Sequence, residues 1–169
     1  MGTCGICGLT CVQGTLPFIS CRILGAWVIK EAVLHTAIDD MESFGWVVLW
    51  AGLHQSRSIS ITEKTWIDAL SADDIDKVAT KKRWIMWEWP AKEKFSKHMQ
   101  GLSPLLERWF SLATRARADA KQFIQENVRR TGDADEFAIG SDTAQKLEGL
   151  CVDYYQRYME ILVGFLDDK

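Results

Sequence analysis

The sharpest pattern along the chain is Asp39-Asp40-Met41-Glu42-Ser43-Phe44-Gly45-Trp46-Val47-Val48-Leu49-Trp50. It opens with acids and a small polar residue and then turns almost wholly apolar. Acids favour the positive end of a helix, where free backbone N–H groups point outward. An apolar surface all the way round marks a helix buried on every side. The pattern therefore predicts a central buried helix, roughly Asp40 to His54, whose polar N-terminus meets something that matters.

Around it the pattern is that of a mainly α protein. Residues 1 to 13 are irregular and rich in Gly and Cys. Gly25 to Thr36 holds a short helix or a loop, and Gln55 to Ser58 reads as exposed loop. The one strand candidate is Ser58 to Thr62. Ser71-Ala72-Asp73-Asp74 is a capping-box variant that opens a helix with Ile75, Val78, Ala79, Lys82 and Met86 at helical spacing. Trp84, Trp87 and Trp89 cluster at its end, and Pro90 stops it. Ser103-Pro104 reads as the cap and first residue of a long helix. Its apolar face runs from Leu105 and Trp109 to Val128, and Gly132 sits near its C-terminal cap. Ser141-Asp142 caps a last helix, with Leu147, Leu150, Cys151, Tyr154, Tyr155, Tyr158, Ile161, Leu162 and Phe165 at three- and four-residue steps.

Composition narrows the class. With 169 residues the chain can bury a core. Eight Trp demand either a deep core or a partner surface. A net charge of −3 gives no general reason for nucleic-acid binding. The apolar run Phe44 to Leu53 is shorter than the roughly 20 residues a membrane span needs. No basic region precedes an apolar stretch at the N-terminus, so a secretory signal is not expected. Five cysteines without such a signal fit free thiols in a reducing compartment, the cytoplasm or nucleus.

Two motifs in order carry a family resemblance. Gly14-Thr15-Leu16-Pro17-Phe18-Ile19-Ser20-Cys21-Arg22-Ile23-Leu24 resembles the segment that closes a protein-kinase activation loop. Asp40-Met41-Glu42-Ser43-Phe44-Gly45 resembles the start of the central helix of the kinase large lobe, as in casein kinase I relatives. The closer likeness is to the fungal-type protein kinase family, in which a similar run leads into an apolar helix ending in Leu-Trp, as Leu49-Trp50 does here. Trp66 with Ala79-Thr80-Lys81-Lys82 resembles a later pattern of that family. The likeness spans roughly Gly14 to Ile124 of a kinase-like region drawn at 14–130. Residues 131–169 form a loop and a C-terminal amphipathic helix. The implied fold is a helical bundle equivalent to the rear of a kinase large lobe.

The resemblance implies roles by position. Gly14 and Thr15 would lie in the loop that meets a peptide substrate. Asp40 would accept hydrogen bonds from the catalytic loop, and Ser43 and Gly45 would shape the first turn of the helix. Arg22 departs from the family, which has a Glu there paired with a distant Arg, so that ion pair is not expected. Phosphoryl transfer needs a glycine-rich loop, a phosphate-binding Lys, a His-Arg-Asp loop and an Asp-Phe-Gly. No Gly-x-Gly-x-x-Gly loop, no His-Arg-Asp and no Asp-Phe-Gly occurs in these 169 residues. ATP and Mg²⁺ are thus implied only for a complete family member, and this chain is expected to be inactive alone. A non-catalytic module that binds a protein partner or itself is the alternative.

The remaining constellations are weaker. Cys4, Cys7 and Cys11 are a candidate Zn²⁺ or redox group, though no fourth ligand lies close in sequence. His35 and His54 flank the central helix and read as packing or surface residues. The basic run Lys81, Lys82, Arg83, Lys92, Lys94 and Lys97 reads as a solvated face with its tryptophans turned inward, rather than as a base-stacking platform. Glu42, Asp73, Asp74, Asp167 and Asp168 read as helix-end acids suited to the macrodipole.

Overall fold

The computed structural model describes residues 16–91, 94–131 and 141–168. They form a helical bundle. A short 3-10 turn at Leu16–Phe18 precedes six α-helices: α1 (Cys21–Ile29), α2 (Ala37–Gln55), α3 (Ile61–Leu70), α4 (Ile75–Trp87), α5 (Lys97–Thr131) and α6 (Asp142–Asp167). No strand occurs among the described residues. The mainly α class expected from periodicity is what the chain adopts.

The helix α2 is the axis. Its longest contact is with α5, and it also meets α6, α3 and the 3-10 turn. Trp46, Leu49 and Leu53 point into one cluster with Trp66, Phe95 and Phe110. Ile38 joins a second cluster, in which Trp109, Ala113 and Ala116 of α5 meet Tyr154 and Tyr158 of α6. A third cluster holds α1 on α4 through Ile23, Leu24, Val78 and Ala79. The C-terminal helix is thus part of the same bundle as the region before it. Small residues allow the close approach of α2 to α5. A Cβ on Gly45 would lie 2.6 Å from Trp109 Cδ1, and one on Gly52 would lie 2.8 Å from Leu102 Cδ1.

Several boundaries differ from the sequence expectation, each for a visible reason. Ser58 to Thr62 is not a strand: Ser60 caps α3, its hydroxyl accepting from the Glu63 N–H while the Glu63 carboxylate takes the Ser60 N–H. Ser71 ends α3, and the cap of α4 is Asp74, which accepts from Asp76 and Lys77 N–H. The helix expected to begin at Ser103 begins at Lys97, with Pro104 inside it. Pro104 is exposed and lacks the N–H that would bond back along the helix. The Ser103 hydroxyl accepts instead from Trp89 Nε1 at 2.9 Å. Ser141 caps α6 as its sequence indicated, accepting from Ala144 N–H.

The largest departure concerns α2 itself. It is not buried on every side: Phe44, Val47 and Ala51 are exposed, in line with Asp40 and His54. Phe44 rests one side of its ring on Trp109 of α5, 5.4 Å between ring centres, and Phe44 and Val47 each leave more than two fifths of their surface open.

Candidate functional site: the N-terminal end of the central helix

The polar end of α2 is built around Asp39. Its carboxylate is buried and accepts from Thr36 N–H at 2.9 Å, Thr36 Oγ1 at 3.0 Å and Ser20 Oγ at 2.9 Å. Arg22 adds a two-point contact, Nε to one oxygen at 3.0 Å and a terminal nitrogen closely on the other. That terminal nitrogen also donates to the Leu34 carbonyl at 2.6 Å. Thr36-Ala37-Ile38-Asp39 has capping-box spacing, with the N3 acid reaching back to the cap N–H. The same acid therefore starts α2 and ties α1 to it.

The resemblance pointed to Asp40, one residue further on. A helix turns about 100° per residue, so Asp40 points away from the spot Asp39 fills. It is exposed and pairs with His35 Nε2 at 2.9 Å. Ser43 is half-buried beside the open stripe. Gly45 serves interhelical closeness, with Trp109 over it donating Nε1 to the Met41 carbonyl at 2.9 Å. Arg22, the family departure, does find an acid, within its own helix pair. Gly14, Thr15, Cys4, Cys7 and Cys11 lie outside the described residues.

A second polar group lies deeper. Glu42 is buried and accepts from Cys21 N–H at 2.6 Å and Trp46 Nε1 at 3.0 Å. Lys82 of α4 is fully buried, donates to the Ile19 carbonyl and holds its ammonium 4.4 Å from the Trp46 ring centre. Burial lowers the Lys82 pKa to about 8, against the opposing pull of Cys21 and Glu42. Burial, and after it Glu42, pushes the Cys21 thiol well up, so it stays protonated. Its sulfur rests 3.5 Å from Met86 Sδ. An acid, an amine and a thiol meet here, but they are closed to solvent. They join α1, the residue pair just before it, α2 and α4 rather than reach a substrate.

The macrodipole reading of Glu42 thus missed its burial, and the solvated-face reading missed Lys82. Spacing offered a clue to the second, since Lys82 shares a helical face with Val78 and Ala79. The opposite error holds for two aromatics: Trp84 and Trp87 are not turned inward, and Trp87 is 89% exposed. Lys81 lies 4.1 Å over the Trp84 ring. His35 and His54 are exposed surface residues, His54 against the Trp50 ring. Among the described residues no group of three or more His, Cys, Asp or Glu could hold a metal ion, and no helix is long and apolar enough to cross a membrane.

No protein-family model, no curated protein and no solved structure matches this chain.

Proposed function

We propose that this chain is the rear part of a fungal-type protein kinase large lobe, and that on its own it is a protein-binding module without phosphotransferase activity. The observation that carries the reading is the open stripe of α2, Asp40, Phe44, Val47 and Ala51, on an otherwise buried central helix. In the family that this sequence resembles, the catalytic loop lies against the start of the corresponding helix. An exposed acid followed by exposed apolar residues is the surface that removal of such a loop leaves behind. The protein partner is then a complete kinase or a second copy of this chain, met inside the cell. ATP and Mg²⁺ belong to the complete family member.

Two measurements test this. Purified residues 1–169 with Mg-ATP give no autophosphorylation under this reading, and robust incorporation of labelled phosphate overturns it. Sequencing the transcript upstream of Met1 tests the descent. In-frame His-Arg-Asp and Asp-Phe-Gly segments support a kinase origin. An apolar-surface dye that fails to bind the chain, with partner-free monomers at all concentrations, counts against the binding role.

A further inference from the structure

The C-terminal helix is apolar over more than one packing face. Its inner stripe, with Leu150, Cys151, Tyr154, Tyr158, Ile161 and Phe165, packs on α2 and α5. A second stripe faces outward: Val152, Tyr155, Met159, Val163 and Leu166, at steps of three and four residues. Four of these are exposed by 49% (Val152), 50% (Tyr155), 51% (Val163) and 61% (Leu166). Val152, Tyr155, Met159 and Leu166 keep heptad spacing, with Val163 one residue off it, and such a stripe is one that a second helix covers. From Val152 to Leu166 it runs about 21 Å at ~1.5 Å per residue, long enough for four turns of a partner.

Charge says which helix. Residues 142–168 carry six acids (Asp142, Glu148, Asp153, Glu160, Asp167, Asp168) and two bases (Lys146, Arg157). The helical period puts Asp153, Glu160 and Asp167 along one edge of the outer seam and Glu148 at its N-terminal end, and all four are exposed. A second copy of α6 would set this acidic edge against its own kind. The chain's first fifteen residues contain no Lys or Arg to answer it. An anionic membrane surface would be repelled as well.

We propose that the outer seam of α6 is a docking site for an amphipathic helix of another protein, with an apolar heptad stripe flanked by Lys or Arg. The site is on a different helix from the open face of α2, and the proposal holds whether or not the chain descends from a kinase.

The test uses the full chain and two synthetic 21-residue helical peptides with the same Leu heptad, one flanked by Lys and one by Glu. Fluorescence anisotropy should show the Lys peptide binding at least tenfold more tightly than the Glu peptide. Raising salt from 0.05 to 0.5 M should narrow that ratio. The triple variant Val152→Ser/Val163→Ser/Leu166→Ser, changed only at exposed positions, should keep its helical circular dichroism and lose at least tenfold in affinity. Single Tyr155→Ser gives the same direction if the triple variant does not fold. Equal binding of the two peptides overturns the proposal, as does unchanged affinity in a folded seam variant. A dimer in sedimentation that the seam variant abolishes also overturns it, because a second copy is then the occupant.

Discussion

Arg22 lies edge-on to the buried carboxylate of Asp39, two nitrogens facing two oxygens, and the same guanidinium reaches the Leu34 carbonyl. One side chain thereby joins the first turn of α1, the loop after it and the N-terminus of α2. Replacing Arg22 with Ala leaves a buried carboxylate short of its counter-charge. A loss of about 3–5 kcal/mol of stability is expected, as for one partner removed from a buried pair. Arg22→Lys keeps the charge but cannot bridge both oxygens and the carbonyl, so it should fall between the two. Asp40→Ala, one residue from the pair and exposed, should change stability by less than about 0.5 kcal/mol. Urea unfolding of the three variants checks the order. An Asp40 effect equal to that of Arg22 would mean the wrong acid has been placed at the centre.

Gly45 and Gly149 are both helical glycines, yet Ala should act oppositely at the two. At Gly149 nothing lies within 4 Å of a new Cβ, so helix propensity alone decides and about 1 kcal/mol is gained. At Gly45 the new Cβ meets Trp109 Cδ1 at 2.6 Å. Trp109 cannot retreat easily, being bonded to the Met41 carbonyl and stacked 4.6 Å from Tyr158 and 5.4 Å from Phe44. Overpacking costs about 1–3 kcal/mol, which outweighs the propensity gain. Thermal melts of Gly45→Ala and Gly149→Ala should shift down and up respectively.

How far the sequence revealed this structure depends on what each signal measures. Apolar periodicity over a long run is unambiguous, and it gave α2, α4, α5 and α6 near their observed places. The short helix α3 was lost between an exposed loop and a strand candidate. Its signal was local instead, Ser60 and Glu63 at capping-box spacing, and Ile61 is exposed rather than buried. Periodicity also could not tell a helix covered on all sides from one with an open stripe, because Phe44 and Val47 look like core residues in either case. Charge was the weakest guide. Asp39 and Asp40 are adjacent and chemically identical, and only the helical turn and the position of Arg22 decide which is buried. Lys82 is surrounded in sequence by surface lysines, and its burial arises from α1, which is distant in sequence.

Glu63 provides a prediction of a different kind, because its carboxylate serves two helices at once. It accepts the Ser60 N–H that begins α3, and also Ser96 N–H at 3.1 Å and Ser96 Oγ at 2.7 Å just before α5. Glu63→Ala leaves these donors buried or half-buried without their acceptor. A loss of about 2–4 kcal/mol follows if each unmade bond costs about 1–3 kcal/mol and water recovers part of it. Hydrogen exchange offers the sharper readout: amides around Ser60 and Ser96 should lose protection together. Loss at Ser60 alone would mean that the carboxylate is only a local cap.

Lys82 gives stability a pH dependence whose sign can be worked out. Its folded pKa is about 8, below the ordinary 10.5, because burial penalises the ammonium. Below pH 8 both folded and unfolded chains carry the proton, and the folded chain bears the full penalty. Between about 8 and 10.5 the unfolded chain binds more protons, so this group makes stability rise with pH. At about 1.4 kcal/mol per unit, the gain from pH 7 to 9.5 is on the order of 2 kcal/mol. Cys21 acts the other way: its raised pKa keeps the folded thiol protonated, while the unfolded thiol ionises near pH 9 and draws stability down above that. The two effects partly cancel in the wild type, so the informative quantity is a difference. Lys82→Met retains the Cys21 contribution and removes that of Lys82. Unfolding free energies of wild type minus Lys82→Met should therefore rise by about 2 kcal/mol between pH 7 and 9.5. A flat difference would mean that the ammonium keeps its water and that the contact with the Ile19 carbonyl and the Trp46 ring does not seal it from solvent.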